Sequence, residues 1–110
     1  MLADLAAAVK DLEIPLGGDS LVDAIALRDR LDARIAKATG VFEANGCWAG
    51  DASVSFVAWL RAHARMTRKS AQRLRTLAVR LRALPMCAEA YADGSLSGGQ
   101  IEAILGSARR

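Results

Sequence analysis

The stretch TRKSAQRLRTLAVRLRALP, residues 67 to 85, carries Arg68, Lys69, Arg73, Arg75, Arg80 and Arg82 and no carboxylate. Guanidinium groups match phosphate oxygens in bidentate geometry, so basic residues concentrated on one element can bind a polyanion. The bias extends further, because residues 52 to 88 hold no Asp or Glu while Arg61 and Arg65 raise their basic count to eight. At 100° per residue, Ala71, Leu74, Leu77, Ala78, Leu81 and Leu84 share one arc of a helix. Arg68, Arg75 and Arg82 then line one flank and Lys69, Arg73 and Arg80 the other, with Gln72, Thr76 and Val79 between them. The expected interface is phosphate-dominated and takes duplex DNA. Its residues are Arg61, Arg65, Arg68, Lys69, Gln72, Arg73, Arg75, Arg80 and Arg82. Arg75 and Arg82 are expected on phosphate, and base reading on the start of the helix, at Arg68, Lys69, Gln72 and Arg73.

Other chemistries lack their residues. One histidine, His63, and two distant cysteines, Cys47 and Cys87, cannot supply the usual three or four nitrogen and sulfur ligands of zinc, nor an HNH nuclease centre. There is no Walker loop and no GxGxxG; GSLSGG at residues 94 to 99 reads as a turn followed by a helix cap. His63 falls on the apolar face of its helix beside Trp59 and is expected to point inward without a catalytic role. No enzyme, metal or cofactor is therefore expected of these 110 residues.

The elements that must position the basic residues are helices. Ala, Leu and Arg are abundant and aromatics make up 5% of the chain, which leaves little material for strands; a 53% hydrophobic content suffices for one core. The expected class is all-α with five or six helices, two N-terminal amphipathic helices followed by a helix-turn-helix-like basic segment. Leu2, Leu5, Val9 and Leu12 mark the first helix, which Ile14-Pro15 and Gly17-Gly18 end. A capping box from Ser20 to Asp23 is expected to start the second, running to about residue 44 with a break or strain at Gly40. Asn45-Gly46 suits a left-handed helix end. A third helix is expected from about Val54 to near Arg65, Thr67 caps a fourth that Pro85 stops, and Pro85 opens a fifth closed at Gly94. Ser97 to Gln100 is a capping box for the last.

This pattern divides the chain into an N-terminal helical hairpin at 1–46, a linker at 47–53 and a basic helical subdomain at 54–110, together one domain. Charge follows the same division, with nine acids against five bases in residues 1 to 51. Acids of the second helix, Asp23, Asp29 and Asp32, are candidates to neutralise part of the basic helix. Leu21, Ile25, Leu31 and Ile35 form a stripe suited to packing within the fold or to self-association as a homodimer. The alternative to DNA binding is accordingly a protein interaction or dimerisation module. No apolar run approaches the roughly 18 residues of a membrane span, and the opening MLADLAAAVKDLEIP has Asp4 where a signal peptide is basic, so a cytoplasmic protein without membrane partners is expected.

The segment WLRAHARMTRKSAQRLRTLAVRLRALPMCAEAYADGSLSGGQIEAI resembles the helical N-terminal domain of actinobacterial 13E12-repeat proteins, domain-of-unknown-function family 222. The family pattern SxxxWL matches Ser55 to Leu60, its capped Ala- and Arg-rich helix Thr67 to Arg82, its LxxLP Leu81 to Pro85, and its AxxxG-x-[IL]-S-xx-[QH] Ala90 through Gln100. In that family the domain often precedes an HNH nuclease domain. The resemblance thus implies a context in DNA metabolism or mobile elements, and a fragment or a truncated stand-alone member. LRALP followed by DGSLSGGQIEAIL is also similar to the stretch after the helix-turn-helix of ParB-type partition proteins, with Gln100 in a His position and Glu102 in an Arg position.

Overall fold

A computed structural model describes residues 1–51 and 53–108. The chain is all-helical. Its elements among the described residues are α1 (Leu2–Lys10), α2 (Gly18–Asn45), a 3-10 helix (Cys47–Asp51), α3 (Phe56–His63), α4 (Arg68–Ala83), α5 (Pro85–Asp93) and α6 (Gly98–Ala108).

Local chemistry accounts for most of the boundaries. Ala58 N–H donates to Ser55 Oγ at 3.0 Å and Ser70 N–H to Thr67 Oγ1 at 3.1 Å, so a hydroxyl caps α3 and another caps α4. Pro85 takes the first position of α5, where its missing N–H costs nothing, and Gly94 closes that helix in the left-handed conformation at φ 90°. The box at α6 is reciprocal: Ser97 N–H donates to Gln100 Oε1 at 2.9 Å and Gln100 N–H to Ser97 Oγ at 3.1 Å. Gly46 ends α2 at φ 80°.

Two features of α2 differ from the sequence expectation. It starts at Gly18 with Gly17 as its cap and no side-chain cap bond, which places Ser20 inside the first turn instead of at its head. The helix also passes through Gly40 without a break. Gly40 serves a close approach, since a Cβ there would lie 3.0 Å from Arg82 Cδ and 3.6 Å from the Ala78 carbonyl oxygen. The absence of a side chain leaves room for the Arg82 side chain against α2, while the α4 backbone stands at ordinary contact distance.

The face of α2 that enters the core is made of small residues, Ala33, Ala36, Thr39 and Gly40. Thr39 tolerates burial because its hydroxyl donates to the Ile35 carbonyl at 2.6 Å. Against Ala33 and Ala36 pack Leu81 of α4, Tyr91 of α5, and Ile101 and Leu105 of α6. A second cluster joins Phe56 and Leu60 of α3 to Ala71 of α4, with Phe42, Trp48 and Trp59 around it. Each large aliphatic or aromatic side chain so buried contributes on the order of 1.5–3 kcal/mol. Within the segment 47–53, Trp48 of the 3-10 helix donates from Nε1 to the Glu43 carbonyl at 3.1 Å and holds its ring 6.0 Å from Phe56.

Residues 1 to 19 are exposed throughout, α1 included. Helix α2, with 28 residues, is about 42 Å long at 1.5 Å per residue, comparable to the 45 Å longest extent of the molecule. The radius of gyration is 15.5 Å, above the roughly 13 Å of a compact chain of this length. Consistent with this, α1 has no buried residue and those of α2 begin only at Ala33.

Candidate nucleic-acid interface

Helix α3, the turn from Ala64 to Thr67 and helix α4 form a helix-turn-helix-like unit fixed from beneath by the Phe56, Leu60 and Ala71 cluster. Arg65 turns the chain with φ 57°, the only positive value outside glycine among the described residues. A non-glycine residue in this region carries a cost of roughly 1–2 kcal/mol, and the compact turn is held despite it. At the end of α3, His63 is exposed, contrary to the inward position expected for it, and stacks on Trp59 with centroids 4.6 Å apart and planes at 22°. Trp59 lies in turn 4.7 Å from Phe42, so the aromatic row leads from α2 to the outer edge of the turn.

The nine residues expected to bind nucleic acid fall into two groups. Arg61, Arg65, Arg68, Lys69, Gln72 and Arg73 are exposed around the turn and the first half of α4. The other three are held by protein atoms. Arg75 Nε donates to Glu43 Oε2 of α2 in an ion pair whose side chains are 48% and 17% exposed. Arg80 donates to the Leu105 carbonyl of α6 at 2.8 Å, and Arg82 reaches the Gly40 carbonyl of α2 at 3.5 Å, a long and weak bond. The acid that meets α4 is thus Glu43; Asp29 lies instead beside Arg28 at 3.9 Å and against Gly98, where its Oδ1 would be 2.8 Å from an added Cβ.

Between α4 and α6 runs an open groove of about 730 Å³. Lys69, Gln72, Arg73, Thr76 and Arg80 form its polar wall, Leu77 and Leu105 line it with apolar surface, and Glu102 stands on the α6 side. Glu102 and Leu105 belong to the site only because α6 folds back along α4, and no local pattern in the sequence signals that.

In the core cluster, the Tyr91 hydroxyl of α5 has its pKa raised above 10, first by burial and then by the carboxylates of Asp32, Asp29 and Glu102, with Arg28 opposing. At the end of α5, Asp93 is held below the ordinary carboxylate value, chiefly by hydrogen bonds with Ser95, whose N–H donates to Asp93 Oδ1 at 2.8 Å. No group of three or more His, Cys, Asp or Glu residues among the described residues is arranged to hold a metal ion. Among the same residues, no helix is long and apolar enough to cross a membrane.

A basic helix-turn-helix-like unit inside a small helical bundle is the class of protein these observations define. The chain belongs to the family described as Domain of unknown function (DUF222), whose model matches residues 19–110. That span takes in α2 to α6 and leaves α1 outside. Neither curated proteins nor solved structures include a match to the chain.

Proposed function

We propose that the chain is a non-catalytic helical module that binds duplex DNA mainly through phosphate. It would serve in the cytoplasm as an accessory or N-terminal part of an HNH-nuclease-associated protein of the actinobacterial 13E12-repeat type. One observation carries the DNA reading. Five cations, Arg61, Arg65, Arg68, Lys69 and Arg73, are exposed around the α3–α4 turn with no ion pair among the described residues. The sequence places no carboxylate anywhere from residue 52 to residue 88 to repel a phosphate backbone. Gln72 lies among these cations and is the side chain suited to reading a base edge, by its paired donor and acceptor. The family membership and the motifs from Ser55 to Gln100 support the nuclease-associated context, which the reading frame downstream of Arg110 tests directly.

Binding of a labelled duplex, followed by anisotropy across a salt series, tests the function. Five neutralised phosphates give a slope of log K against log salt near −4.5. Replacing Lys69 and Arg73 by Ala flattens that slope by about two and weakens binding to all sequences alike, whereas Gln72→Ala changes sequence preference more than affinity. Absence of binding at low salt, or a slope indifferent to the Lys69/Arg73 pair, refutes the proposal.

A further inference from the structure

The N-terminal arm poses a physical problem that the bundle leaves unsolved. Helix α1 has 9 residues and none of them is buried, yet isolated helices shorter than roughly 12–15 residues are marginal in water. Leu2, Leu5, Val9 and Leu12 nevertheless lie along one side of the arm, exposed by 41% to 78%. An amphipathic helix of this length gains its stability by laying that side on another surface.

The complementary surface is on α2. Leu27, Leu31, Ile35 and Val41 follow one another along its outer side, away from Ala33, Ala36 and Gly40, and are 39% to 63% exposed. The far end of this stripe opens into a groove of about 620 Å³ lined by Arg34, Lys37, Ala38, Val41, Phe42 and Asn45. Leu21 and Ile25 do not belong to it; they continue the core-facing side of α2 beyond the bundle.

We infer that α1 of one protomer docks on the outer stripe of α2 of a second copy, and reciprocally, to give an arm-exchanged homodimer. Charge favours this pairing: the arm carries Asp4, Asp11 and Glu13 against a single Lys10, while Lys37 and Arg34 line the groove at the far end of the stripe, Arg34 also donating to the Ala92 carbonyl, and Arg28 is shared with Asp29. Area favours it as well. At their exposures the eight aliphatic residues named present on the order of 700 Å² per protomer, close to the roughly 800 Å² per partner of a stable interface. The link from Asp11 to Gly17 is short, so a hairpin closed within one chain lays α1 along the first three turns of its own α2 and stops short of Leu31. A second copy has no such restriction.

The inference is independent of DNA binding and is tested without nucleic acid. Light scattering of the full chain at about 100 μM should give twice the 11.7 kDa of the monomer. Val9→Asp on α1 and Leu31→Asp on α2 should each give a monomer that loses at most the helical signal of the 9 residues of α1 and keeps that of the bundle, since both side chains are exposed in the single chain. Lys37→Glu should raise the dissociation constant about tenfold, and adding Asp11→Lys with Glu13→Lys in the same chain should restore it. A wild-type chain that stays at 11.7 kDa, whether α1 folds back or remains unpaired, overturns the inference. So does a dimer indifferent to Val9→Asp.

Discussion

Arg75 of α4 and Glu43 of α2 form an ion pair across the boundary between the basic and the acidic parts of the chain. The pair joins two residues 32 positions apart and ties the basic helix to the long helix that supports it. It also pairs one guanidinium of α4 that would otherwise face solvent alone.

Glu43→Gln keeps the volume of the side chain and removes the charge. With Arg75 half exposed, solvent screening limits the loss of stability to about 1 kcal/mol or less, and 1 M salt should shrink the difference further. Urea unfolding of both proteins at low and high salt checks this. The released Arg75 should steepen the salt dependence of DNA binding by about one charge. Arg75→Ala alone, by contrast, should lower stability and leave the slope nearly unchanged.

Arg65 combines a strained backbone with an exposed cation. Arg65→Gly relieves roughly 1–2 kcal/mol of steric cost and loses part of that gain to the greater freedom of glycine in the unfolded chain. The expected net is a stabilisation of about 0.5–1 kcal/mol in urea unfolding, together with a salt slope for DNA reduced by about one. Opposite signs for stability and binding distinguish a residue retained for its charge from one retained for the fold.

Tyr91 makes stability fall in alkali. Its folded pKa is raised above 10 by burial and by Asp32, Asp29 and Glu102. The unfolded chain therefore releases the phenolic proton first, and the folded state holds more protons between the two values. The stabilisation is complete below about pH 10, decreases as pH rises toward the folded value, and is gone above it. Thermal midpoints followed upward from about pH 8 should decline less steeply for Tyr91→Phe than for the wild type.

Which parts of this were legible in the residues follows from the range of the forces involved. Ser55, Thr67 and the Ser97–Gln100 pair act on backbone groups three residues away, and Pro85 and Gly94 act through their own φ, so the helix boundaries from α3 onward follow from local sequence. Ser20 is the exception. It has a capping side chain, but α2 gains another turn by starting at Gly18, and the hydroxyl ends up inside the helix.

The buried face of α2 was not legible for a different reason. Hydrophobic periodicity weights large side chains, and Leu21, Ile25, Leu31 and Ile35 are exposed in the single chain, while the core takes Ala33, Ala36 and Gly40. Small residues carry a weak periodic signal, and which of them are buried, as Ala33 and Ala36 are, depends on where the neighbouring helices pack.

By itself, then, the sequence determined the helical class, most helix ends and the concentration of positive charge between residues 52 and 88. All three depend on residue type and on interactions within one or two turns. Only the tertiary structure decided which cations remain available. Arg75 and Arg80 are taken up by Glu43 and Leu105, and Arg82 leans weakly on Gly40, partners from distant helices that come within reach only when α2 and α6 close on α4.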